Sequence, residues 1–213
     1  MAWDFGAEIH ALSNFDADLA GTTGSISGEN LTLHANQWLT DGAKEIINLL
    51  PMGLQKLCTA MQTFTSVAAD SESETLNTGK VLAVFAGSKN CRNINCINKY
   101  KASDPDDINY ATSNDPVFYV EANKINVLPA GLSCKYEEVQ YPTVEVDYVA
   151  IAIFPDEAEY LVVLYASMKA LQHKMTNEVA NEDSGLYALY SDRYTKLSAD
   201  YQRGIVSLRG GKK

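Results

Sequence analysis

Residues 154–175 read FPDEAEYLVVLYASMKALQHKM, and the fold turns on them. Pro155 suits a first helical turn, where its missing N–H would go unpaired in any case. Asp156, Glu157 and Glu159 follow at the positive end of the helix dipole, and His173 and Lys174 suit the other end. Leu161, Leu164, Tyr165, Met168, Leu171 and Met175 recur at the helix period. The stretch is a helix with a strong apolar face. Its acids and His173 would be chemistry in an enzyme and helix-end groups in a packing helix. A partner elsewhere in the chain has to decide between the two.

The flanks supply more helix. On the C-terminal side, Ser184 to Gln202 carries Tyr187, Tyr190, Tyr194, Leu197 and Tyr201 along one side. The tail GIVSLRGGKK (204–213), with Arg203 before it, has four basic residues, no acid and two adjacent glycines, and is expected to be flexible. Near the N-terminus, Phe5, Ile9, Leu12 and Phe15 fit a helix within residues 3–19, with Asp4 as N-cap. GTTGSISGEN (21–30) reads as a Gly-rich loop. A second helix spans about Asn30 to Leu50, with Trp38, Leu39 and Ile46 among its apolar stripe and Pro51 as its stop. Gly42 in its middle costs about 1 kcal/mol relative to Ala, so a close neighbour is expected there.

Between these helices the period changes. Residues 51–67 fit helix or strand. VLAVFAG (81–87) reads as a short strand. VFYVEANKINVLP (117–129) alternates on both sides of a central turn, a hairpin signal in which Asn123 can take positive φ. Residues 134–153 add one or two further strands, limited by Pro142, and 101–116 is turn chemistry built on Asp-Pro and Asn-Asp-Pro. The fold class is α+β: a helical bundle with a β-rich insertion. The helical body is drawn from 1–70 and 154–203, the insertion from 80–153, and the flexible tail from 204–213.

The 213 residues carry a formal net charge of −10, which argues against a protein that grips nucleic acid through a basic face. An acidic wall can still let DNA pass without sticking. Hydrophobic residues make up 46% and charged residues 21%, the range of a folded globular chain. No apolar run reaches the roughly 20 residues of a membrane span, and no secretion signal opens the chain, so it is expected to be soluble and made in a cytoplasm.

Chemistry-bearing patterns are sparse. Cys58, Cys91, Cys96 and Cys134 lack the second close ligand pair of a zinc site and read as free thiols. Asp104, Asp106 and Asp107 lack the Gly and final Glu of a calcium loop and read as a solvated turn. His10, His34 and His173 all sit in helical stretches, outside any triad motif, and no phosphate-binding Gly-rich loop occurs. No catalytic, metal or cofactor-binding residue is assigned, and the chain reads as a non-enzyme.

Four stretches in order resemble one family: WLTDGAKEIINLLP (38–51), YATSNDPVFYVEANKINVLPAG (110–131), YPTVEVD (141–147) and FPDEAEYLVVLYASMKALQHKM (154–175). They look like the head-to-tail adaptor proteins of tailed-bacteriophage necks, over most of residues 38–175. The resemblance implies a virion structural protein, a homo-oligomeric ring of about twelve copies beneath the portal protein. Tail or neck proteins would lie below it and genomic DNA would pass through unbound. It implies portal docking by Arg203, Ile205, Val206, Leu208, Arg209, Lys212 and Lys213. Subunit packing is expected from Trp38, Leu161, Leu164, Tyr165, Met168, Leu171, Tyr187, Tyr190 and Tyr194. The alternatives are another neck protein, a stopper or tail terminator, and a virion-associated hydrolase.

Overall fold

A computed structural model of the chain describes residues 4–15, 31–67, 74–180 and 184–210. Its elements, in order, are α1 (Phe5–Ser13), α2 (Leu31–Leu49), α3 (Met52–Gln55), β1 (Thr59–Thr65), β2 (Glu74–Thr75), β3 (Val81–Ala86), β4 (Lys89–Asn90) and β5 (Arg92–Asn93). There follow α4 (Lys99–Ser103), β6 (Val117–Glu121), β7 (Lys124–Leu128), β8 (Ser133–Val139), α5 (Asp156–Ala180) and α6 (Ser184–Leu208). The class is α+β, as expected. The segment 21–30 lies outside the described residues.

Two compact units divide the chain: a helical one drawn from Met1–Cys58 and Tyr141–Lys213, and a β unit, Thr59–Gln140. The expected boundaries shift accordingly. The β unit starts at β1, inside the stretch assigned to the helical body, and stops at Gln140, so 141–153 belongs with the helices.

In the helical unit α5 is the centre, packed against α1, α2 and α6. Leu161, Val162, Val163, Leu164, Ala166, Met168, Ala170 and Leu171 are all buried, so the helix is apolar around most of its circumference. Full burial of each larger aliphatic among them is worth about 1.5–3 kcal/mol. Two glycines let the neighbours come close. A Cβ at Gly42 of α2 would sit 2.9 Å from Cδ1 of Tyr165, the close neighbour that Gly42 called for. A Cβ at Gly204 of α6 would overlap Cδ2 of Leu161 and the Tyr160 hydroxyl.

The α5–α6 pair is antiparallel, because the contacts Leu161–Gly204, Tyr165–Tyr201, Gln172–Tyr194 and Lys174–Tyr190 run in opposite chain directions. His173 and Lys174 are not at the helix end, since α5 runs on to Ala180. Phe15, Trp38, His34 and His173 instead form a ring cluster, with Trp38 5.4 Å from Phe15 and 6.0 Å from His173. The α1 helix starts on its expected cap, Asp4, whose carboxylate accepts from the Ala7 N–H. It ends at Ser13 rather than near 19, because Asn14 takes φ 55° and donates its N–H to the His10 carbonyl.

Residues 141–155 have the alternation of a strand and form none. Val144 and Val146 point inward, as period two requires, yet the hydrogen bonds come from α2 side chains. The Val144 N–H donates to Thr40 Oγ1 at 3.0 Å, and the Val146 N–H donates to Asn36 Oδ1 at 2.9 Å. The Phe5 and Gly6 N–H groups donate to the Tyr148 and Val146 carbonyls, and the Ile151 N–H donates to Glu159 Oε1. The segment is a strap tied to α1, α2 and α5.

The β unit holds two four-stranded sheets, ordered β1-β8-β3-β4 and β2-β7-β6-β5, antiparallel except for the short β5–β6 pairing. Val84, Ala86, Cys134 and Tyr136 from the first sheet meet Phe118, Ile125 and Val127 from the second in one core. The opposite face of β6, with Val117 and Tyr119, packs under Ala102 and Ala111. The predicted hairpin is β6–β7, turned by Ala122 and Asn123 at φ 49° and 61°. Glu138 is fully buried and accepts from the Thr78 N–H at 2.6 Å and the Gly79 N–H at 3.2 Å, fixing the turn that leads into β3.

Candidate assembly surface

The residues expected to join subunits divide by burial. Leu161, Leu164, Met168 and Leu171 are 0–9% exposed and form part of the core of the helical unit. Tyr165 is half-buried between Gly42 and Tyr201, and Trp38 belongs to the ring cluster. A single-face pattern cannot show that α5 is enclosed by three helices.

The tyrosine stripe of α6 does lie on one side, and that side faces α5. Tyr201 is buried and donates to Glu45 Oε1 at 3.0 Å. Burial first, and then the Glu45 carboxylate, hold its phenol well above the usual range. Tyr194 accepts from Gln172 Nε2, and Tyr190 lies under the Lys174 ammonium. Tyr187, at 42%, is the most exposed of the three interface candidates on α6.

The C-terminal stretch differs from expectation. Helix α6 continues through Leu208, with Gly204 and Ile205 buried against the bundle, so 204–208 is helix and not flexible tail. Ile205, expected in portal docking, is 6% exposed and packs into the helical unit. Arg203 and Val206 point outward, Arg203 paired with Asp200, while Leu208 is half-buried and Arg209 Nε donates to the Leu49 carbonyl. Lys212 and Lys213 lie outside the described residues.

Sequence reasoning missed the strap as a surface. Tyr148, Val149 and Ile153 are exposed there, and Tyr160 is exposed in the first turns of α5. Between Tyr141 and Tyr160 stand Glu145, Asp147, Asp156, Glu157 and Glu159, with no Lys or Arg. Glu159 and Asp4 also crowd Glu8, whose carboxyl is raised by burial first and by those two charges after it. A cue was the absence of any cation across twenty residues.

The remaining chemical groups form no recognisable site among the described residues. Cys91 and Cys134 are free, and burial pushes the Cys91 thiol up to about 12. Asp104 and Asp107 accept from the backbone N–H groups of Asp106 and Asn109, as solvated turn residues do. Among the described residues no group of three His, Cys, Asp or Glu side chains is placed to hold a metal ion. No helix among them is long and apolar enough to cross a membrane. No family model matches the chain, and no protein of curated function matches it either.

Proposed function

We propose that the chain is a structural subunit of a tailed-bacteriophage neck, a head-to-tail adaptor rather than an enzyme. Copies form a ring beneath the portal protein, connect the capsid to tail components and let the genome pass. The observation that carries this is the placement of the four adaptor-like stretches. They fall in order on the second half of α2 with its Pro51 stop, on the β6–β7 hairpin, on the strap and on the central helix α5. The β unit between them starts and ends on adjacent strands, a layout suited to a module carried by a helical body. A net charge of −10 suits a channel that phosphate should traverse without sticking.

Docking to the portal falls to the segment beyond the locked helix end, Gly210 to Lys213. The test is mass photometry and negative-stain microscopy of the purified chain, alone and with the portal protein of its own genome. Rings seated on the portal are expected. Monomers in both samples overturn the proposal, and rings that bind tail components but not the portal reassign the chain to a stopper or terminator. Deleting 211–213 should weaken portal binding while leaving the helical unit intact, because α6 is held to the bundle through Ile205 and Arg209 before that point.

A further inference from the structure

The strap is an outward-facing surface held in a fixed shape. Its backbone is bonded to Asn36 and Thr40 on α2, to the N-terminal turn of α1 and to Glu159 on α5. Ile153 has φ 56°, a left-handed conformation that a β-branched residue rarely adopts. Strain of this kind persists where surrounding contacts over-determine it. The result is that Val149 is 58% exposed and Ile153 49%, with Tyr148 and Tyr160 beside them in the chain at 39% and 48%. Glu145, Asp147, Asp156 and Glu157 are exposed around them and form no ion pair among the described residues. Apolar side chains on a rigid, acid-rimmed support are the marks of a protein contact.

A complementary surface exists on the same unit. The last two turns of α6 are locked inward by Gly204 and Ile205. Outward they present Arg203, which pairs with Asp200, Val206 at 62% exposure, and Arg209, whose Nε donates to the Leu49 carbonyl. Gly204 packs on Tyr160 and Leu161 in the first turns of α5, the helix that the strap leads into. Two different patches on one chain suit a head-to-tail contact, which gives a ring where its rotation closes and an open filament where it does not.

We propose that the strap of one copy, through Tyr148, Val149 and Ile153 with Glu145 and Asp147 at their rim, seats on the α6 edge Arg203–Val206–Arg209 of the next copy. This contact rests on the ring reading given above. It assigns the outward residues of the α6 end to the neighbouring subunit and leaves portal docking to the residues after it.

Full-length variants measured by mass photometry across protein and salt concentrations test it, with circular dichroism to confirm folding. Val149→Asp/Ile153→Asp and, separately, Arg203→Glu/Arg209→Glu should raise the concentration needed for ring assembly about tenfold or more. Wild-type rings should loosen as salt rises. Adding Glu145→Lys/Asp147→Lys to the arginine reversals should restore assembly, which a contact with any other protein would not do. Folded variants that assemble as well as wild type, or reversals that no charge swap rescues, overturn the contact while wild-type rings keep the adaptor reading. A wild-type chain that stays monomeric with and without portal removes the ring reading, and this contact with it.

Discussion

At the scale of single residues, the helical unit depends on places where a side chain is missing. Gly204 has ordinary helical geometry, so Ala would gain about 1 kcal/mol of helix propensity there. The added methyl would overlap Leu161, which is fully buried and cannot swing aside, and the Tyr160 hydroxyl. Overpacking of this kind costs about 1–3 kcal/mol, so Gly204→Ala should lower the melting midpoint, as thermal denaturation would show. Glu8 gives a prediction of opposite sign. Its carboxyl is raised above the ordinary 4.5 by burial, then by Glu159 and Asp4. A raised acid favours the folded state while protonated and loses that contribution as pH climbs through its folded value. Glu8→Gln should therefore melt higher than wild type at pH 7, and the gap should close as the pH is brought down toward 4.5. A gap that widens on acidification would contradict the assignment.

At the scale of elements, the strap stands out because it is an extended segment without a sheet. A chain in β conformation must find partners for its N–H and C=O groups, and here α2 provides them through Asn36 and Thr40, one turn apart on the same helix face. Removing both side chains leaves two backbone N–H groups without partners, at roughly 1–3 kcal/mol each. Asn36→Ala/Thr40→Ala should cost more stability than either change alone and should make the 141–155 amides exchange faster by hydrogen–deuterium exchange, with little effect on β6–β7. The other informative element is the end of α6. Glycine and basic residues suggested a loose tail, but Ile205 and Tyr201 follow the helix period far enough to bury another turn and a half against α2 and α5.

At the scale of the whole molecule, the β unit begins and ends on neighbouring strands. Thr59 pairs with Val139 on neighbouring antiparallel strands, so the two chain ends of the module lie beside each other. Short connections between adjacent ends carry little entropic cost. Replacing residues 60–138 by a two-residue Gly-Ser link should leave a soluble helical protein with a single cooperative melt, measurable by circular dichroism. Loss of helix in that variant would show that the helical unit needs the insertion in order to fold.

Local chemistry by itself determined the helices of the body, the hairpin and the class α+β. The reasons are short-range: Pro155 and three acids start α5, Pro51 stops α2, Asp4 caps α1, and Asn123 accepts positive φ between alternating apolar runs. The free thiols and the turn acids were legible for the same reason, since each pattern is complete within a few residues. Tertiary structure decided the rest. The stretch 154–175 shows one apolar face, but enclosure by α1, α2 and α6 buries most of its sides, and Leu161, Leu164, Met168 and Leu171 lie in the core of the helical unit. The alternation of 141–153 reads as strand because burial has period two, and only the position of α2 shows that the hydrogen bonds come from helix side chains. Which apolar residues remain outward, on the strap and on α6, follows from what other elements cover, and that is a property of three-dimensional packing rather than of sequence spacing.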